Sequence, residues 1–176
     1  LLSDMYHLIK EQTQTLVRDN SGSGECYGGL AEEFADYRDY HFYADLHDFE
    51  LLLEAFTPTW RSRQPWLFGE FCDSDVLRDL RSLRRQRGTA RLSWESADRH
   101  VNPLCVLKPD FTANLFEANF YTDDLPERFA EKQQRSVFHS MVHRKVTLEL
   151  TRAETMVSGY NITSLRDTPL CSNGLF

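Results

Sequence analysis

The sequence predicts an α/β fold built around a parallel sheet. Short runs rich in aromatic residues alternate with segments of helical period, the pattern of successive right-handed βαβ units. One run, WLFGEF (Trp66–Phe71), is apolar almost to its end, as a strand covered on both faces would be. A chain of 176 residues that is 41% hydrophobic and 27% charged can bury one sizeable core. Four such strands fit either a doubly wound sheet or half of an eight-stranded barrel, and periodicity alone does not separate the two.

Ser3 reads as the N-cap of a first helix, SDMYHLIKEQ, whose Met5, Leu8 and Ile9 share one face. TLVRDN follows as a short strand at Thr15–Asp19 that ends on Asn20. The glycine-rich SGSGECYGG is a loop, and it lacks the GK[ST] and GxGxxG patterns of phosphate cradles. RDYHFYADL places a strand at Asp39–Tyr43, and HDFELLLEAF (His47–Phe56) has the apolar density of a core-facing helix. TPTWRSRQ turns the chain into WLFGEF. In DSDVLRDLRSLRRQR, Asp73 or Ser74 is the expected N-cap of the next helix. From about Gly88 to Pro126 no clear period holds, and Asn102-Pro103 and Lys108-Pro109 mark a long irregular excursion, a kind that compact domains usually reserve for function. Helical period returns from Leu125 to Ala153, and GYNITSL (Gly159–Leu165) is the last strand.

Several function classes are disfavoured at once. A net charge of −7 argues against nucleic acid as a partner. The one basic run, Arg78–Arg87, reads as a solvated helix face. No window approaches 18 consecutive apolar residues, so no membrane-spanning helix is expected. The four cysteines (Cys26, Cys72, Cys105, Cys171) include no CxxC pair and read as free thiols. His139 and His143 form HxxxH without the glutamate of a zinc-protease helix or an evident third ligand, so packing or surface roles are expected, and neither metal nor cofactor. Asn161-Ile-Thr163 fits a glycosylation acceptor but falls in a strand expected to be buried. No GxSxG-like nucleophile setting appears.

Glu70 poses the functional question, because an ionised carboxylate at the end of a buried strand is costly unless paired or aimed at a cavity. DYHFY, then PWLFGEF, then a long helix leading to SGYNITSLRDTP, resembles the second half of a (β/α)8 glycoside hydrolase barrel. The likeness is to the family 2 catalytic domain, the β-galactosidase, β-glucuronidase and β-mannosidase group, and covers most of the chain apart from Gly88–Pro126. The resemblance implies a partial TIM barrel in which TLVRDN, DYHFY, WLFGEF and GYNITSL are strands five to eight. It implies a retaining β-glycoside hydrolase with a carbohydrate substrate and Glu70 as nucleophile. The acid/base Glu, which follows an Asn at the end of the family's fourth strand, would lie upstream of this chain. The chain departs from the family at Thr163-Ser164-Leu165, where a Trp is common, and at Cys72, where Gly is common.

Barrel sites gather at the C-terminal ends of the strands. Tyr43, His41 and Arg166 are the candidate donors that would keep Glu70 ionised. Asn20 ends a strand and can reach a sugar hydroxyl or form a turn. Trp66 reads as core, whereas Trp94 in the excursion is the candidate stacking platform. Arg166 and Asp167 follow the last strand towards the expected cleft, for substrate contact or a salt bridge. The chain opens on Leu1-Leu2 without Met and stops at SNGLF, which reads as one domain's C-terminal part, residues 1–176, lacking the N-terminal half of its barrel. Alone it is expected to be inactive and prone to self-association through open sheet edges. The competing readings are a non-catalytic carbohydrate-binding or scaffold domain of barrel descent, and a doubly wound domain unrelated to sugars.

Overall fold

The computed structural model describes residues 1–18, 21–22, 34–56, 64–96, 98, 100, 126–168 and 172–175. In chain order the elements are α1 (Leu2–Gln12), β1 (Arg38–Phe42), α2 (Phe49–Phe56), β2 (Trp66–Phe71), α3 (Leu80–Arg87), a 3-10 turn at Ser93–Glu95, α4 (Pro126–Ala153) and β3 (Val157–Ile162). The fold is mixed α/β, with one three-stranded parallel sheet among the described residues, in the order β1-β2-β3. Parallel neighbours need a crossover, and α2 lies between β1 and β2 in the chain. The chain divides into two compact units: Leu1–Ser74 with Met141–Arg166 and Asn173–Phe176, and Asp75–Ser140 with Asp167–Ser172.

The core of the first unit is aromatic. Tyr40 and Phe42 from β1, Trp66, Phe68 and Phe71 from β2, and Phe49 and Leu53 from α2 form one buried cluster with Cys72. Phe42 stacks on Phe68 with ring centroids 5.2 Å apart and meets Phe49 edge-on at 5.0 Å. Each such side chain contributes roughly 1.5–3 kcal/mol by leaving water, so this cluster fixes the sheet. The face that α4 buries in this unit is polar: His143, Thr147 and Thr151, at a spacing of four, are all buried. Thr147 donates to the His143 carbonyl (2.7 Å) and His143 Nε2 donates to the Ala44 carbonyl (3.1 Å), whereas the Thr151 hydroxyl is buried without a hydrogen-bond partner among the described residues. His143 is thus a packing residue, and no group of three or more metal-ligating side chains occurs among the described residues.

In the second unit, Asp79 caps α3: its carboxylate accepts from the Ser82 backbone N–H at 2.8 Å. Gly88 closes the helix in left-handed conformation at φ 61°. Arg84 from the basic run pairs with the buried Glu95. Burial works against ionisation of Glu95, but the Arg84 guanidinium and the Leu92 N–H outweigh it and hold the carboxyl below its usual range.

Several sequence expectations need correction. Thr15–Asp19 is not a strand over its described part, residues 15–18. The Val17 N–H donates to Asp36 (2.7 Å) and the Val17 carbonyl accepts from the Asp36 N–H (2.8 Å), so the groups a ladder would use are taken. Among the described residues the sheet therefore has three strands where four were expected. The cap of α1 is Leu1, whose carbonyl accepts from Met5 N–H, leaving Ser3 inside the first turn. The cap of α3 is Asp79, because Asp73 accepts from the Asn173 side chain instead. The last strand is Val157–Ile162 and Asn161 is exposed on it, so burial is no ground for setting that sequon aside. No helix among the described residues is long and apolar enough to cross a membrane.

Candidate functional site

Strict alternation along β2 would put Glu70 on the same face as Trp66 and Phe68, inside the aromatic core. It is not there. Register against β1 pairs Tyr40 with Phe68 and then His41 with Glu70, which leaves Gly69 as an extra residue. The β3 side shows the same slip, with Phe68 opposite Tyr160 and Phe71 opposite Ile162. This bulge flips the parity, so Phe71 takes the next buried position and Glu70 turns to the other face. Glycine is required at the bulge because a Cβ on Gly69 would overlap the Asp39 carboxylate. The carboxylate in GEF is thus aimed out of the core by the glycine that precedes it.

On the face to which Glu70 turns, β1 presents Asp39 and His41, and Tyr43 follows at the strand end. The Tyr43 hydroxyl donates to Glu70 Oε2 at 2.6 Å. His41 Nδ1 lies 3.3 Å from the same oxygen, within ion-pair distance. Tyr43 is 45% exposed overall, and its partial burial, with the Glu70 carboxylate beside its hydroxyl, pushes the phenol well above its usual value. The shift favours the protonated phenol that donates to Glu70. Thr163, just past the end of β3, works the other way and offsets part of that rise. Glu70 itself is 43% exposed, so the carboxylate is open to a ligand while two partners fix it. Tyr43, Glu70 and Thr163 lie at the C-terminal ends of three parallel strands, where open α/β sheets and barrels place their ligands.

Of the residues singled out by sequence, Glu70, Tyr43 and His41 are brought together. Arg166 lies past the end of β3 with its side chain exposed. Asp167 belongs to the second unit, where it forms an ion pair with Arg78 at 3.7 Å. Trp94 has its backbone in the 3-10 turn of the second unit, and its side chain lies outside the described residues, as does Asn20. Trp66 is buried at 3% exposure, as read. Sequence reasoning missed Asp39 and Ser21. Ser21 Oγ donates to Asp39 Oδ2 (2.6 Å) and sits 3.0 Å from His41 Nε2. The available signal was the Asp39-Tyr-His41 alternation, which puts an acid and an imidazole on one face of β1.

Comparison with family models, with curated proteins and with solved structures found no match to this chain.

Proposed function

We propose that this chain is the nucleophile-bearing part of a retaining glycoside hydrolase acting on β-linked glycosides. In this reading β1, β2 and β3 correspond to strands six, seven and eight of a (β/α)8 barrel. Glu70 attacks the anomeric carbon as the leaving oxygen takes a proton from an acid/base glutamate supplied from upstream of this chain. The two carboxyl groups would stand about 5–5.5 Å apart, as retention requires. Water then displaces the sugar from Glu70, with the second carboxyl acting as base. Tyr43 fixes the attacking carboxylate through its short bond to Oε2, leaving Oε1 for the sugar.

The observation that carries this reading is the Gly69 bulge, which turns a carboxylate out of an aromatic core to a strand end, where the Tyr43 hydroxyl donates to it. The test is Glu70→Gln in the full-length protein. Turnover of an aryl β-glycoside is expected to fall by about 10³-fold or more, with sugar affinity kept. Unchanged turnover overturns the assignment. A wild-type protein that binds sugar through Glu70 and turns nothing over would make this a carbohydrate-binding domain.

A further inference from the structure

We infer that Asp39, Ser21 and His41 form a one-proton relay that keeps an N–H on His41 Nδ1 turned towards Glu70. Asp39 is 6% exposed, its Oδ1 has no hydrogen-bond partner, and Ser21 is the donor to its Oδ2. A buried carboxylate so poorly solvated needs a counter-charge or a proton. Within hydrogen-bond reach beyond Ser21 stands the His41 imidazole, its Nε2 3.0 Å from the hydroxyl.

Two arrangements satisfy every contact. In one, Asp39 is ionised, Ser21 donates to it, and an imidazolium donates Nε2–H to Ser21. In the other, the Asp39 carboxyl donates its proton to Ser21 Oγ, the Ser21 hydroxyl donates to Nε2, and the imidazole is neutral. The two differ by a pair of proton hops, Nε2 to Oγ and Oγ to Oδ2, with no change in net charge. Nδ1 carries its hydrogen in both. The third arrangement, neutral imidazole with the hydrogen on Nε2, would turn the bare Nδ1 lone pair on the Glu70 carboxylate at 3.3 Å. The groups facing His41 are thus Glu70, Ser21 and, through Ser21, Asp39, with Tyr43 sharing the Glu70 oxygen.

Two glycines make room for this arrangement. A Cβ at Gly22, which adopts φ +63°, would come within 2.6 Å of the His41 ring, and one at Gly69 would strike Asp39. His41 is a positioning residue in this scheme: it holds Glu70 from the side opposite the sugar and does not itself react. The inference rests on the glycosidase reading only for that consequence.

The test reads imidazole ¹⁵N shifts of His41 in the full chain at neutral pH and needs no substrate, so its failure is distinct from failure of that reading. Nδ1 is expected to be protonated, and Nε2 to show a shift between the protonated and bare values. In Asp39→Asn and Ser21→Ala, Nε2 should move to the bare, acceptor value while Nδ1 stays protonated. Ser21→Thr, which keeps the hydroxyl, should restore the intermediate shift. Ser21 is exposed, so its variants decide the matter even if Asp39→Asn does not fold. A bare Nδ1 in the wild type, or an Nε2 shift identical in wild type and Ser21→Ala, overturns the relay.

Discussion

Cys72 adopts φ +65°, a left-handed backbone that costs a residue with a Cβ about 1–2 kcal/mol. Its thiol is buried, with Sγ 3.3 Å from Thr147 Oγ1, and that burial pushes the thiol above its usual value, so it is a poor nucleophile. The position directly follows the Glu70-Phe71 pair, and a glycine there would adopt the left-handed turn freely. Two variants separate backbone from side chain. Cys72→Ala and Cys72→Gly both lose the sulfur contact, but only glycine relieves the dihedral. Cys72→Gly is expected to be the more stable by about 1 kcal/mol in denaturant unfolding. An alanine variant as stable as the glycine variant would mean that the dihedral carries no strain.

Asp36 joins α1 to the segment that was expected to be a strand. Its carboxylate accepts from Tyr6 (2.8 Å), Lys10 (2.9 Å) and the Val17 N–H (2.7 Å), and with Lys10 the largest influence these hold it at about 2. A carboxyl depressed in the folded state stabilises it fully above the ordinary carboxylate value, near 4. That stability is lost as pH falls from about 4 towards 2. Hydrogen exchange at α1 should therefore quicken over that window, and Asp36→Asn should show faster exchange at neutral pH and no such step. The same pH dependence in the variant would refute the link. The contact also explains what the sequence concealed. TLVRD has strand composition, but a side chain far along the chain claims the Val17 backbone, and no local pattern reports that. By contrast α4 and β2 were legible, Leu125–Ala153 against Pro126–Ala153 and WLFGEF as written, because their periods are set by the residues themselves. The acid at position 70 was legible as an anomaly. The bulge that explains it was not, since it is a register between strands, and the Ser21–Asp39 contact closes a loop of the chain.

For the chain as a whole, the exposed surface sets an expectation about association. Among the described residues β1 and β3 each have a strand on one side only. Met5 and Leu8 on α1 are 50% and 58% exposed, although the sequence puts them on one apolar face. Unpaired edges and an uncovered apolar stripe invite another chain. Light scattering of this chain alone should find dimers or larger species that bind a hydrophobic dye, and a cooperatively melting monomer without dye binding would contradict this. The central claim, that the Gly69 bulge presents Glu70 as a nucleophile, is tested most directly by covalent labelling. The full-length protein is treated with a 2-deoxy-2-fluoro-β-glycosyl fluoride, and the adduct is mapped by mass spectrometry. The account predicts one sugar per chain, attached to the peptide that carries Glu70. An enzyme that turns over β-glycosides yet takes the label on another carboxylate would contradict it.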